Sequence, residues 1–244
     1  MTARRALLAP ILGVLAGCSV LGGAGGPSPD GIFSGDDLEL ARAISARDDS
    51  RVADLVASGA DVEATGRDEI TILQWAVEAD HPAAISLLLE AGADPDRTGI
   101  GAEAALHRAV RDVDLVDALL AGGADPDVRN AVTGSGPLTA VCVQPVMASF
   151  DSLVAAGADV DLTDRLGETP LLTCARTNQG ALILRLLELG ADPTVSSDGA
   201  TFQDFYFGID PRVLNDRATA ERRQIVAWLV ANGHPLAPAA EQFR

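Results

Sequence analysis

The chain has 244 residues and carries 18 arginines, no lysine and 35 acidic side chains, a formal charge of −17 at neutral pH. Phosphate backbones are held by clustered cations, so nucleic acid is not an expected partner, and the same charge repels anionic lipid head groups. Cysteines at 18, 142 and 174 are too few for a small disulfide-stapled scaffold, and a body of this size buries enough apolar surface without one.

Arg4 and Arg5 give the chain a positive start, and the apolar run from Ala6 to Ala16 is too short to remain in a bilayer as a spanning helix. It ends in Leu15-Ala16-Gly17-Cys18, where small residues let the bond before Cys18 enter a peptidase cleft. This box resembles the signal of bacterial lipoproteins. The resemblance implies removal of residues 1–17, diacylglycerol on the Cys18 thiol, and often acylation of the new amino terminus. Two or three acyl chains anchor durably where one does not. The membrane is thus expected to be reached through the anchor alone, with the body on the extracytoplasmic face. Ser19 is not the Asp that often retains lipoproteins in an inner membrane, so a host with two membranes is expected to send the chain outward, and a host with one to its surface. Removing residues 1–17 discards two arginines and no acid, which deepens the negative charge. Residues 18–35, rich in Gly, Pro and Ser, read as a flexible tether with a reach on the order of 20 to 25 Å.

Gly-Ala-Asp recurs at 59–61, 92–94, 123–125, 157–159 and 190–192, and Asn232-Gly233-His234 closes the series; the glycines are 33, 31, 34, 33 and 43 residues apart. An apolar helix end precedes each glycine, a place that favours a left-handed residue. Each unit opens on a short motif, best preserved in Gly167-Glu168-Thr169-Pro170-Leu171, where Thr169 is positioned to cap a helix and Pro170 to begin it. Eroded copies stand at Thr71 to Gln74, Ala104 to His107, Gly136 to Thr139 and Thr201 to Asp204, and the 31-residue interval predicts a shortened turn between helices near Arg111 to Asp114.

Period and motifs are similar to those of the ankyrin repeat family. The resemblance implies an all-α solenoid of about six helix-turn-helix units joined by hairpin loops, over residues 36–236, with 237–244 as a C-terminal tail. The first unit lacks an opening turn, and the last carries an insertion placed near Gly208 to Arg217.

Reactive chemistry finds little support. His81, His107 and His234 fall at non-equivalent positions without metal-ligand spacing, and no phosphate-cradling loop or nucleophile elbow is present. His107 takes the place where the family's histidine bonds to the repeat turn. Cys142 and Cys174 stand where the family prefers Ala on the first helix, and read as small buried residues or, alternatively, as a thiol pair sensing oxidants. No catalytic residue, metal or cofactor is expected.

The expected activity is binding another protein, as a monomer. The family's turn tips and first-helix faces form a concave grip, which nominates Arg67, Asp68, Ile70, Glu78 and Ala79, then Glu103, then Arg165, Leu166, Glu168, Arg176 and Thr177. Trp75 reads as core. Phe205, Tyr206, Phe207 and Arg212, with Arg217, Arg222 and Arg223 close by, form an aromatic and arginine cluster of the kind that dominates binding hot spots, although a terminal unit also needs apolar material to seal its core. Anchored proteins of this architecture resemble immunity partners of secreted antibacterial effectors, phospholipase toxins in particular. A second resemblance is to periplasmic ankyrin proteins that support a haem catalase under peroxide stress.

Overall fold

The computed structural model describes residues 27–244; Cys18, the signal and the first part of the expected tether lie outside it. Among the described residues twelve α-helices fall in six pairs: α1 (Gly35–Ser45) and α2 (Asp49–Ala57), α3 (Ile72–Glu78) and α4 (Pro82–Glu90), α5 (Ala105–Ala109) and α6 (Val113–Ala121), α7 (Pro137–Val143) and α8 (Met147–Ala155), α9 (Pro170–Arg176) and α10 (Gly180–Glu188), α11 (Phe202–Phe207) and α12 (Asp216–Ala231). The first helices stack side by side in one row and the second helices in another. Between the rows runs one continuous core, in which Ile44, Ile85, Val116, Phe150, Ile183 and Leu229 are fully buried. At roughly 1.5 to 3 kcal/mol per buried side chain, each unit depends on its neighbours.

All six repeat glycines, Gly59, Gly92, Gly123, Gly157, Gly190 and Gly233, adopt positive φ. Bonds such as Gly92 N to Leu89 O and Ala93 N to Leu88 O, both 3.0 Å, close the preceding helix while the following Ala packs inward. The opening motifs behave unequally. Thr71 and Gln74 form a reciprocal capping box on α3, and Thr169 caps α9, whereas Ala104 and Gly136 supply no side-chain cap to α5 and α7. Ala104→Thr is therefore expected to raise stability by about 1 kcal/mol. Chemical denaturation checks this, and a neutral or negative effect would show that the α5 start is closed to a hydroxyl.

The short interval is absorbed differently from the sequence expectation. Three residues join α5 to α6, as they join α3 to α4 and α7 to α8, so the turn keeps its length. The shortening falls in α5 itself, with five residues where α3, α7 and α9 have seven. The insertion is also redistributed. A turn at Pro211–Val213 takes part of it, and α12 takes the rest by growing to 16 residues, where α10 has nine.

Both ends are covered. Phe33, assigned by sequence to the tether, is buried edge-on against Trp75 with ring centroids 5.6 Å apart, because the strand-like segment from Asp30 bonds the first turn tip through Ile32 O to Arg67 N. At the other end the tail folds back: Ala240 and Phe243 are buried, and Gln203 holds the tail through Pro235 O and Ala237 N. Folded chain thus extends beyond both sequence boundaries.

Successive units are tied by a ladder of carboxylates. Asp96, Asp127 and Asp161 each accept the amide of the next repeat's aspartate, Asp125, Asp159 and Asp192, at 2.9 to 3.0 Å. Burial, reinforced by the neighbouring aspartates, pushes the carboxyls of Asp96, Asp127 and Asp161 above their ordinary value, and the amide bonds only partly oppose it. Above the unfolded value of 3.8, the native state then holds more protons than the unfolded state, so stability falls as pH rises through that window. The exposed Asp30, Asp192 and Asp210, held low by hydrogen bonds, act oppositely and only toward stronger acid. The thermal midpoint is expected to rise as pH is lowered from neutral toward the unfolded carboxylate value of 3.8, and to fall only in stronger acid. A midpoint that declines steadily from pH 7 would contradict the ladder's role.

Candidate protein-binding surface

The turn tips form a rigid edge. Ala131 N bonds Ala102 O at 2.8 Å and Arg165 N bonds Thr133 O at 2.9 Å, so adjacent tips are joined through backbone. Arg165 is a nominated binding residue, and its guanidinium is committed to this edge through Val132 O and Ala131 O. Its restraint presents two apolar side chains: Leu166 is 81% exposed and Val132 67% exposed. Arg67 and Asp68 are exposed at the first tip. Ile70 is buried at 6% exposure, and Ala79 is buried as well, so both leave the candidate surface. Ile70 sits where the chain turns inward to start α3.

Behind the tips, the first helices present a row of charge. Arg108 bonds Glu78, its Nε lying 2.8 Å from Oε1, and reaches Glu103 at 3.4 Å, linking two units. Two units further on, Arg176 pairs with Glu168 at 2.7 Å and lies 4.0 Å from the Phe205 ring centroid. Phe205 is half-buried and remains in the surface. Thr177 donates to Cys142 O at 2.8 Å, which makes it a tie between units more than a free contact.

The aromatic cluster resolves into separate roles. Tyr206 and Phe207 are fully buried, and Phe207 lies 5.7 Å from Phe243, centroid to centroid. They seal the terminal core and are not a contact surface, because the positions on α11 that face α9 and the tail are apolar together. Burial pushes the Tyr206 hydroxyl up to about 12. Arg212 is exposed and folded onto Asp210 by hydrogen bonds, while Arg222 is fully buried.

One bond is absent from the sequence expectations. Cys142 on α7 and Cys174 on α9 form a disulfide between adjacent units, in place of the two free buried thiols expected. They occupy equivalent places one repeat apart, which in a stacked array means spatial neighbours. Two of the histidines act between units: His81 contacts Ile44 O and Asp49, and His107, as the family resemblance implied, donates from Nε2 to Ser135 O in the turn of the following repeat. Trp75 is core, donating to Ala41 O. Among the described residues no cluster of metal-ligating side chains occurs, and no helix is long and apolar enough to cross a membrane.

Helix pairs stacked into a solenoid, with joined turn tips flanking a row of charged and apolar side chains, define a repeat scaffold for protein interaction. A family profile described as ankyrin repeats (3 copies) matches residues 40–130 and 106–197. The chain belongs to the ankyrin repeat family. It is 39% identical over 145 residues to protein PhlB of Serratia liquefaciens, covering 59% of this chain and 63% of that protein. It is 38% identical over 102 residues to palmitoyltransferase Hip14 of Drosophila melanogaster, covering 41% of this chain and 16% of that protein. The chain thus spans less than two thirds of the length of either relative. The crystal structure of the ankyrin repeat domain of Bcl-3, a member of the IkappaB protein family, shares the fold at a TM-score of 0.68 and 23% identity, covering 78% of this chain and 85% of that one. As in the family, the scaffold is a protein-protein interaction module.

Proposed function

We propose that the chain is a lipid-anchored, extracytoplasmic binding module that holds one protein partner on its concave face, in the manner of an immunity protein covering a secreted effector. The observation that carries the binding role is the rigid edge of joined tips, with Val132 and Leu166 exposed beside the Glu78–Arg108–Glu103 and Glu168–Arg176 pairs. The Cys142–Cys174 disulfide favours placement outside the cytoplasm, since such bonds persist in oxidising compartments and are rare where thiols are kept reduced. Both sulfurs belong to fully buried residues, which favours a structural bond over the thiol-sensor alternative.

Two measurements test the reading. Metabolic labelling with a palmitate analogue is expected to mark the chain and to lose the mark in Cys18→Ala; an unlabelled native chain rejects the anchor. Deletion of the gene is expected to sensitise cells to a toxin encoded beside it. Sensitivity only to peroxide, with lowered catalase activity, would transfer the assignment to the catalase-support reading.

A further inference from the structure

The shortening of α5 leaves a groove of about 560 Å³ in the concave face. Its floor is α5 with Arg111 and Asp112 of the following turn and Leu115 of α6, and its walls are the end of α3 and the stretch of α7 that carries Thr139, Ala140 and Val143. Two residues fewer on a helix withdraw its end by about 3 Å, so the unit between α3 and α7 stands back from its neighbours. Val143, 58% exposed, forms an apolar patch on one wall with Ala140 beside it. Four carboxylates line the groove, those of Glu78, Asp80, Glu103 and Asp112, against the guanidiniums of Arg108 and Arg111, and Asp80 is paired with Arg47 of the preceding unit, which leaves one carboxylate in excess. Arg108 uses only Oε1 of Glu78 and, at 3.4 Å, one oxygen of Glu103, so each carboxylate keeps acceptor capacity toward the groove. The chain as a whole is strongly acidic.

We propose that this groove receives a basic segment of the partner protein, in which a lysine or arginine bridges Glu78 and Glu103 while an adjacent aliphatic side chain rests on Val143 and Ala140. Charge complementarity selects a cation over an anion, and the local excess of carboxylates repels acidic segments. The proposal rests on the concave face being the protein-binding surface and adds where the partner enters and with what chemistry.

The test uses the full chain and two short capped peptides, one alternating lysine with leucine and one alternating glutamate with leucine. The lysine peptide is expected to bind and to shift the amide resonances of Glu78, Glu103, Ala140 and Val143. Glu78→Gln with Glu103→Gln is expected to weaken it at least tenfold. Val143→Asp, which leaves the ion pairs intact and adds a charge that favours the peptide at long range, is expected to weaken it through loss of the apolar contact. Asp61→Asn with Asp94→Asn, which remove charge outside the groove, are expected to change it less than twofold. Equal weakening by the two double variants reduces the effect to net charge and overturns the proposal. So does binding of the glutamate peptide, shifts confined to other surfaces, or no binding. Any of these leaves the concave face as the interaction surface; that broader reading fails separately, if the partner engages the second-helix row.

Discussion

Replacing Cys142 and Cys174 together with alanine is expected to lower stability by about 3 to 4 kcal/mol, the loop-closure contribution of a bond across some 32 residues. The effect is expected to be local in origin. Second helices of neighbouring units generally pack closely, but α8 and α10 touch far less than the other pairs in their row, and a groove over the start of α10 is bounded by Pro145 and Met147 on one side and by Arg217 and Glu221 of α12 on the other. The disulfide joins the first helices of these same two units, α7 and α9, with the Thr177 bond to Cys142 O beside it. The bond thus closes the joint that the second row leaves weak. In a one-dimensional array, weakening one interface lets the two sides unfold separately. The double variant, or the native chain treated with a phosphine reductant, is expected to lose the α9 to α12 segment first, giving early hydrogen exchange there while α1 to α6 stay protected. A single unshifted transition would show that the joint carries no special load.

Arg222→Ala is expected to cost about 3 kcal/mol or more, the range found when a buried, hydrogen-bonded charge is removed and its partners are left unpaired. The Arg222 guanidinium donates to Asn178 Oδ1 at 2.7 Å, to Tyr206 O at 2.9 Å and to Ala218 O at 3.2 Å, with its Cζ 4.1 Å from the Tyr206 ring centroid. It therefore pins the added turns of α12 to the inter-helix turn of the preceding unit and to α11. Arg222→Met is expected to recover part of the packing and none of the bonds, falling between the two. Arg223, the exposed neighbour, sets the control: Arg223→Ala is expected to change stability by less than about 0.5 kcal/mol. Urea unfolding of the three variants orders these effects, and equal effects at 222 and 223 would contradict the buried role.

The parts of the fold that were legible are those in which one backbone demand recurs. Six glycines recurring 31 to 43 residues apart mark six left-handed helix ends, and no other residue type meets that demand so cheaply. Trp75 was legible for a similar reason, as one large side chain in an apolar helix. Direction and distance were not legible. The cluster from Phe205 to Phe207 carries no mark of which rings face inward, and only its packing against the tail separates Phe205 from Tyr206 and Phe207. Arg222 was hidden because arginine reads as surface, and the insertion obscured its register. The disulfide has a signal in the sequence, because Cys142 and Cys174 stand at equivalent positions of neighbouring units. Equivalent register in a stacked array means adjacency in space. Arg67, Asp68 and Leu166 at the turn tips are exposed and Ile70 is buried, since burial changes within a single residue where a tip enters a helix.

The most direct test of the account is site-specific photo-crosslinking in living cells, with a photoreactive residue placed in turn at Leu166 and Val143 on the concave side and at Ser86, Asp117 and Asp151 on the second-helix row. The two concave positions are expected to capture the same single protein, while the three others capture nothing in common. Capture of one shared partner from Ser86, Asp117 and Asp151, with none from Leu166 and Val143, would place the working surface on the opposite side and contradict it.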